Sequence, residues 1–131
     1  MTAFQTKSIS MRPEAIAPDG SLVRILLAQK GGSMAHFELA DGGISRAIVH
    51  RSVDEIWFVL EGLGVMWRKQ EEQEETVRME AGVCLTIPCG VRFQFRSLGP
   101  GPLKVIAVTM PPWPGEGEAV FVEGIWRPKV A

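Results

Sequence analysis

Two histidines and one glutamate are the residues of this chain best suited to chemistry. His36 and His50 are the only histidines among the 131 residues, and Glu55 follows His50 by five positions. Because open sites for divalent transition metals often use two histidines and one carboxylate, a metal site within one chain would have to combine His36 and His50 with a carboxylate such as Glu55, around iron, manganese, nickel or zinc. Without a metal, His50 and Glu55 could act as a general base and its orienting acid, since a carboxylate raises the pKa of a neighbouring imidazole.

The same residues also have purely structural interpretations. The strand predicted around His36 has an apolar face on its other side, formed by Ala35, Phe37 and Leu39. Strand side chains alternate between faces, so His36 would then point to solvent or to the rim of a cavity. Glu55 opens the apolar run EIWFVL, where a carboxylate needs a partner such as Arg51, Arg92 or a histidine.

Composition argues against several partner classes. Fourteen Lys and Arg against fifteen Asp and Glu leave a formal charge of -1, so there is no basic excess for nucleic acid or anionic lipid. No stretch approaches the roughly 18 apolar residues of a membrane span, and we expect no membrane partner and a cytoplasmic location. Two cysteines, Cys84 and Cys89, cannot form a disulfide framework or a four-cysteine zinc site.

Short β-rich runs separated by turn residues predict an all-β sandwich or barrel. The polar segment KQEEQEE, residues 69–75, is expected at a hairpin tip. We divide the chain into an N-terminal arm, a barrel and a C-terminal segment that packs on the barrel and carries Trp113 over one end, with bounds 1–21, 22–110 and 111–131. The predicted runs are 22–28, 33–39, 45–50, 55–60, 65–68, 76–79, 83–87, 92–96, 103–109 and 119–122.

Two segments resemble the sequence motifs of the cupin superfamily. Residues 42–64 are similar to the first motif, in which Glu55 and Gly62 fall in place. The pattern of this motif is glycine, five residues, His-x-His, three or four residues, Glu, six residues, glycine. Residues 82–97 are similar to the second motif, with Gly82, Pro88 and Gly90 in place. Its pattern is glycine, five residues, Pro-x-Gly, two residues, His, three residues, Asn. The resemblance extends over about residues 22–110 and implies a single-domain jelly-roll β-barrel.

The chain departs from the family pattern at the metal-ligand positions. If four residues separate the second histidine of the first motif from Glu55, its two histidine positions fall on Ile48 and His50. If three residues separate them, these positions fall on Val49 and Arg51. Since either Gly42 or Gly43 can open the motif, the sequence leaves this register undecided.

The second motif has also lost its ligand. Its histidine position holds Phe93, and its asparagine position holds Ser97. The resemblance therefore implies an incomplete metal site that keeps at most His50 and Glu55.

Aromatic residues would replace the lost ligands. If Glu55 faces inward, so does Trp57, and Phe95 would follow Phe93 by the same alternation. With Ile48, these side chains would line a largely apolar pocket for a small organic molecule, or they would simply fill the interior as core.

Two functions follow from these alternatives. The first is a cupin barrel that binds a small organic molecule, and the other is a metal-dependent cupin enzyme of the oxygenase or isomerase type with a rearranged His36, His50 and Glu55 site. The absence of tyrosine argues against metal-free epimerase chemistry. The resemblance also implies a homodimer, and the run LVRILLA, residues 22–28, supports one because an uncovered apolar edge strand invites pairing.

Overall fold

The computed structural model describes residues 3–130, which form eleven β-strands and no helix. The all-β prediction is confirmed. The strands are β1 (Ala15–Ile16), β2 (Leu22–Gln29), β3 (Gly32–Leu39), β4 (Ile48–His50), β5 (Asp54–Glu61), β6 (Gly64–Gln70), β7 (Gln73–Met79), β8 (Cys84–Ile87), β9 (Arg92–Ser97), β10 (Leu103–Met110) and β11 (Ala119–Phe121).

Two antiparallel sheets face each other across one core, as expected of a jelly roll. The six-stranded sheet has the order β1-β2-β3-β10-β5-β8, and the five-stranded sheet has the order β11-β4-β9-β6-β7. No helix within residues 3–130 is long and apolar enough to cross a membrane.

Alternating burial on β5 shows how the sequence selects its inner face. Glu55, Trp57 and Val59 are at most 3% exposed, whereas Ile56 and Phe58 are 40% and 45% exposed. The inner residues join a core to which both sheets contribute. Its largest fully buried side chains are Trp57, Phe93, Phe95, Met66 and Met79.

Turn residues separate the strands largely where predicted. The acidic segment forms the β6–β7 hairpin, which turns at Glu71 and Glu72, so the strands extend further into KQEEQEE than expected. Gly62 adopts a φ of 92° in the turn between β5 and β6, and a Cβ there would collide with the carbonyl oxygen of Pro102. This glycine of the first motif is therefore required by the backbone.

The N-terminal arm contributes more to the sheets than the sequence indicated. β1 lies in this arm and pairs with the start of β2, whereas β11 falls within the predicted run 119–122 and pairs with β4. The backbone N–H of Ile25 on β2 also donates to Glu14 Oε1. The expectation that residues 22–28 form an uncovered edge is thus corrected, because the arm covers the first half of that strand.

Candidate functional site

Three strand ends bring polar side chains together at one end of the barrel. His50 ends β4, Glu55 lies at the start of β5, and Thr109 lies near the end of β10 directly opposite Glu55. We call this end the mouth. Strand pairing therefore places side chains that are up to 59 positions apart in the sequence around one opening.

The register around His50, which the sequence left undecided, follows from burial. Ile48 and His50 are 2% and 4% exposed and face inward, while Arg51 is exposed. Gly42 has a φ of 75°, which favours glycine. The four-residue spacing of the motif is the one that the structure adopts.

Glu55 is buried, and both of its carboxylate oxygens accept hydrogen bonds. Trp57 Nε1 donates to Oε1 at 2.9 Å, and Thr109 Oγ1 donates to Oε2 at 2.6 Å. The partners of Glu55 are thus neutral donors of the six-stranded sheet, in place of the expected arginine or histidine. Within residues 3–130, no hydrogen bond or ion pair joins His50 to Glu55, so the predicted base and orienting acid are not coupled directly.

His50 is enclosed by aromatic rings. Its imidazole lies edge-on to Phe93 at 5.2 Å and to Trp113 at 5.5 Å between ring centroids. Its Nδ1 atom is buried and has no hydrogen-bond partner in the described part of the chain. A buried polar atom without a partner is unusual in folded proteins. His36 Nδ1, Arg68 Nε and Arg96 Nε are in the same condition elsewhere in the described chain.

The segment that follows β10 covers His50. We call residues 111–118 the strap. Trp113 donates its backbone N–H to Ser33 Oγ at 3.0 Å and is 38% exposed. As expected from the sequence, the strap carries Trp113 over one end of the barrel.

Glu118 anchors the far end of the strap. Its carboxylate accepts the backbone N–H and the hydroxyl of Ser52 at 2.7 and 2.6 Å, and the N–H of Val53 at 3.1 Å. Burial opposes its charge, but the hydrogen bonds from Ser52 and Val53 outweigh this effect and lower the pKa of Glu118. Sequence reasoning missed this residue, because a glutamate in the polar segment GEGEA has no distinguishing pattern.

Asp19 is a second acidic residue that sequence reasoning missed. It is 3% exposed and accepts both the N–H and the hydroxyl of Ser21. Burial raises the pKa of Asp19, and the negative charge of Glu55 adds to this effect, while His50 opposes it. The tripeptide Asp-Gly-Ser is typical of an exposed turn, so the burial of Asp19 follows only from the tertiary fold.

His36 lies on the opposite side of the six-stranded sheet. On β10 it pairs with Ile106, whereas the inward-facing residues of that strand are Val105, Ala107 and Thr109. Burial and the nearby Arg24 guanidinium lower the pKa of His36. The predicted grouping of His36, His50 and Glu55 is therefore corrected: strand alternation turns His36 away from the other two.

The residues at the family's ligand positions do not fit a metal. Ile48 and Phe93 have no donor atoms, which leaves His50 and Glu55 as the donors at these positions. Within residues 3–130 there is no group of three or more His, Cys, Asp or Glu placed to hold a metal ion. His50 and Glu55 alone fall short of the three protein ligands usual for a catalytic transition metal.

The aromatic residues expected to line a pocket contact one another. Ile48, Trp57, Phe93 and Phe95 are at most 2% exposed, and the Trp57 ring lies edge-on to Phe95 at 5.0 Å and to Phe93 at 5.9 Å. These four side chains fill the interior below the mouth. That these side chains contact a ligand stays a prediction, and it concerns only the edges of the side chains that face the mouth.

A separate cavity of about 310 Å³ lies between the β6–β7 hairpin and the turn after β8. Arg68, which sequence reasoning did not single out, crosses this cavity and donates to the backbone oxygen of Thr86 and to Glu75, both at 2.7 Å. The cavity is lined by Arg68, Gln70, Gln73, Glu74, Glu75, Thr86, Pro88 and Val91.

Comparison of the sequence with known families agrees with the motifs. Residues 35–109, more than half of the chain, match the Cupin domain family. An uncharacterized protein of Methanocaldococcus jannaschii is 28% identical over 126 residues, a match that covers 92% of this chain and 97% of that relative.

Solved structures with the same fold come from several bacteria. A Streptomyces protein, PAC13 with uridine, has a TM-score of 0.70 at 15% identity, and the match covers 94% of this chain and 95% of the PAC13 chain. The protein BH2720 from Bacillus halodurans has a TM-score of 0.66 at 20% identity over 78% and 79% of the two chains. A double-stranded β-helix protein from Klebsiella pneumoniae has a TM-score of 0.63 at 16% identity over 84% and 90%.

Proposed function

Because the chain belongs to the cupin superfamily, we propose that its barrel binds a small organic molecule at the mouth, between His50 and Trp113. One observation carries this proposal: His50 Nδ1 is buried without a hydrogen-bond partner in the described part of the chain, at the end of the barrel that the strap covers. A ligand that hydrogen-bonds this atom would remove the cost of leaving it unpaired.

The chemistry of the mouth suits a compact, partly apolar ligand. Phe93 and Trp113 offer aromatic edges on either side of His50, and an imidazole can donate or accept a hydrogen bond according to its tautomer. Small-molecule sites typically combine apolar walls with a few fixed polar groups. We therefore expect a planar ring with one hydroxyl, carboxylate or amide group as the preferred class.

Entry of such a ligand requires the strap to move. Trp113 is held at the mouth by its contact with His50 and by one backbone hydrogen bond to Ser33, while its side chain is already 38% exposed. Displacement of this single side chain would open space without disturbing the core. The Streptomyces neighbour described with uridine supports the idea that a barrel of this fold can hold a small ring compound.

Protein-observed NMR with defined probes tests the proposal. Phenol, benzoate and indole, each added separately at millimolar concentration to the full chain, are expected to shift the resonances of His50 and Trp113 in a saturable manner. Absence of saturable shifts with all three probes, or shifts confined to residues distant from the mouth, would overturn it.

Two matched variants identify the contacts. Trp113→Ala is expected to weaken probe binding severalfold, whereas Phe121→Ala, which removes an exposed aromatic ring from β11, should leave binding unchanged. His50→Gln keeps a polar side chain but changes the geometry of its nitrogen, and we expect it to abolish saturation. Equal binding by wild type and His50→Gln would contradict the role of His50.

A further inference from the structure

The two sheets leave a gap where their last strands do not pair with each other. β8 ends the six-stranded sheet and β7 ends the five-stranded sheet, and each has one paired neighbour in the described part of the chain. The cavity of about 310 Å³ between the β6–β7 hairpin and the turn after β8 lies in this gap, and we call it the edge cavity. Sites for small molecules range from about 300 to 1,000 Å³, so the edge cavity suits one compact molecule.

The edge cavity is separate from the mouth. β9 lies between β4, which carries His50, and β6, which carries Arg68, so these two strands are about 10 Å apart at the usual strand spacing. Neither His50 nor Glu55 lines the edge cavity. A molecule bound there would therefore contact residues other than those at the ligand positions of the family pattern.

Arg68 spans the edge cavity and keeps unpaired donors. Its Nη1 donates to the backbone oxygen of Thr86 and its Nη2 to Glu75 Oε1, both at 2.7 Å, so the guanidinium is held between β8 and β7. An arginine has five N–H groups, and the other three have no protein acceptor within residues 3–130. Its Nε is also buried, where an unpaired N–H is costly. A ligand rich in oxygen atoms would supply acceptors to this guanidinium.

Two glutamines extend the polar wall of the edge cavity. Gln70 and Gln73 are cross-strand partners, as are Arg68 and Glu75, and the four residues share one face of the hairpin because side chains alternate along each strand. Each glutamine amide can both donate and accept hydrogen bonds. Val91, which is 3% exposed, adds apolar surface to the lining. The edge cavity thus combines several donors and acceptors with one apolar contact.

The charges around the edge cavity favour a neutral ligand. Glu74 and Glu75 line it, and Glu71 and Glu72 form the turn of the same hairpin, so an anion would meet repulsion from four carboxylates. A simple cation would leave the donors of Arg68 unpaired, because it offers no acceptor. A molecule with several hydroxyl groups meets neither obstacle, since each hydroxyl both donates and accepts.

We propose that the edge cavity binds a neutral ring compound with several hydroxyl groups, such as a monosaccharide or a cyclitol. Its oxygens accept hydrogen bonds from Arg68, its hydroxyl groups donate to Glu75 and to the glutamine amides, and one C–H face of the ring packs on Val91. The side chain of Glu75 is 64% exposed, so it can shift to admit the ligand without disturbing the core. This site is independent of the binding proposed at the mouth.

NMR titration of the full chain with neutral probes tests the site. D-glucose, D-galactose and myo-inositol are added separately at tens of millimolar concentration. At least one is expected to shift the Nε–H resonance of Arg68 and the side-chain amide resonances of Gln70 and Gln73 in a saturable manner, while the resonances of His50 and Trp113 do not follow the titration. Absence of saturable shifts at Arg68 with all three probes, or shifts confined to the mouth, would overturn the proposal.

Sodium acetate tests the choice of a neutral ligand. The carboxylate of acetate could compete with Glu75 for the guanidinium, but it would meet the acidic hairpin. We expect acetate to saturate the Arg68 resonance less tightly than the best neutral probe. Tighter saturation by acetate would identify the edge cavity as an anion site and contradict the proposed ligand class.

Matched variants identify the contacts. Arg68→Lys keeps the positive charge but loses the planar fork of donors, and we expect it to abolish saturation by the probe that binds wild type. Arg78→Lys, at a residue of β7 whose side chain is 63% exposed and outside the lining, should bind as wild type does. Gln73→Ala is expected to weaken binding about threefold to tenfold, whereas Gln29→Ala, at the exposed end of β2, should not.

Circular dichroism of each variant establishes that the fold is retained. Gln73 is exposed near the hairpin tip, so Gln73→Ala remains an informative variant even if Arg68→Lys destabilises the barrel. Wild-type affinity in a folded Arg68→Lys or Gln73→Ala protein would overturn the assignment of the site.

Discussion

Glu55 illustrates how neutral donors can hold a charged side chain inside an apolar barrel. Its carboxylate enters a strand with apolar neighbours, and the fold satisfies both oxygens with the indole of Trp57 and the hydroxyl of Thr109. Burial of a carboxylate without such donors would be strongly unfavourable. The hydrogen bonds also fix the carboxylate in one orientation beside the mouth.

Thr109→Val tests the contribution of this arrangement. Valine preserves the shape of the side chain but removes the hydroxyl that donates to Glu55, so the free energy of unfolding should fall by about 1.5 to 3 kcal/mol, as for hydrogen bonds to charged groups. Urea denaturation measures the change. Thr86→Val, at an exposed position of β8, is the control and should change the free energy of unfolding by less than about 0.5 kcal/mol.

His36 predicts a specific pH dependence of stability. Burial lowers the pKa of His36 from its ordinary value of 6.5, and the positive charges of Arg24 and Lys104 lower it further, while the negative charge of Glu38 opposes the shift. As the pH falls below 6.5, the imidazole of the unfolded chain takes up a proton before that of the folded protein does. The free energy of unfolding therefore decreases as the pH falls from 6.5, and it stops decreasing below the pKa of His36 in the folded protein.

Replacement of the imidazole removes this effect. We expect His36→Gln to show a weaker decline in the free energy of unfolding between about pH 7.5 and pH 5 than wild type. Denaturant titrations of both proteins across this range provide the measurement. Parallel declines in the two proteins would show that His36 does not titrate as its surroundings indicate.

The strap is an element whose position depends on a few polar contacts. It begins after β10, carries Trp113 to His50 and ends at Glu118, which binds the loop between β4 and β5 through Ser52 and Val53. Because it has no strand pairing of its own before β11, these contacts decide whether the mouth is covered. Segments with few buried apolar contacts open more readily than the core of a protein.

Glu118→Gln should loosen the strap. The amide oxygen of glutamine can still accept the N–H groups of Ser52 and Val53, but it lacks the negative charge of the carboxylate, and a hydrogen bond to a neutral acceptor is worth about 1 kcal/mol less than one to a charged acceptor. We expect the backbone N–H of Trp113 to exchange with deuterium about tenfold faster or more, as followed by NMR. Glu116→Gln, an exposed substitution in the same segment, should leave the exchange rate unchanged.

The assembled barrel decides which side chains share a space. His36 and His50 lie on strands of different sheets, and the pairing of β3 with β10 turns His36 to the outer face while His50 faces the interior. Phe93 and Ile48 occupy the inward positions where the family pattern has histidines. The interior below the mouth is therefore an aromatic core, and His50, Glu55 and Thr109 place polar groups at the mouth.

Elemental analysis tests the consequence for metal binding. In protein purified without chelator, we expect iron, manganese, nickel and zinc together to be well below one equivalent per chain, because the mouth supplies fewer than three suitable donors. His50→Ala and His36→Ala should not differ from wild type. About one equivalent of metal in wild type that is lost in both variants would instead support the metal-dependent alternative.

Local patterns in the sequence were sufficient for the strands and for the family. The turn residues between apolar runs identified the strands, and the spacing of Gly62, Gly82 and Pro88 identified the motifs, because both depend on geometry within a few residues. Alternation along EIWFVL placed Trp57 on the same face as Glu55, but it did not decide which face is inward, because the run is apolar on both. The burial of Asp19, the anchoring of the strap by Glu118 and the choice between the two directions that the sequence allowed for His36 depend on residues far apart in the chain. A one-residue change of register would reverse the face of every side chain in a strand, so only the assembled sheets could determine them.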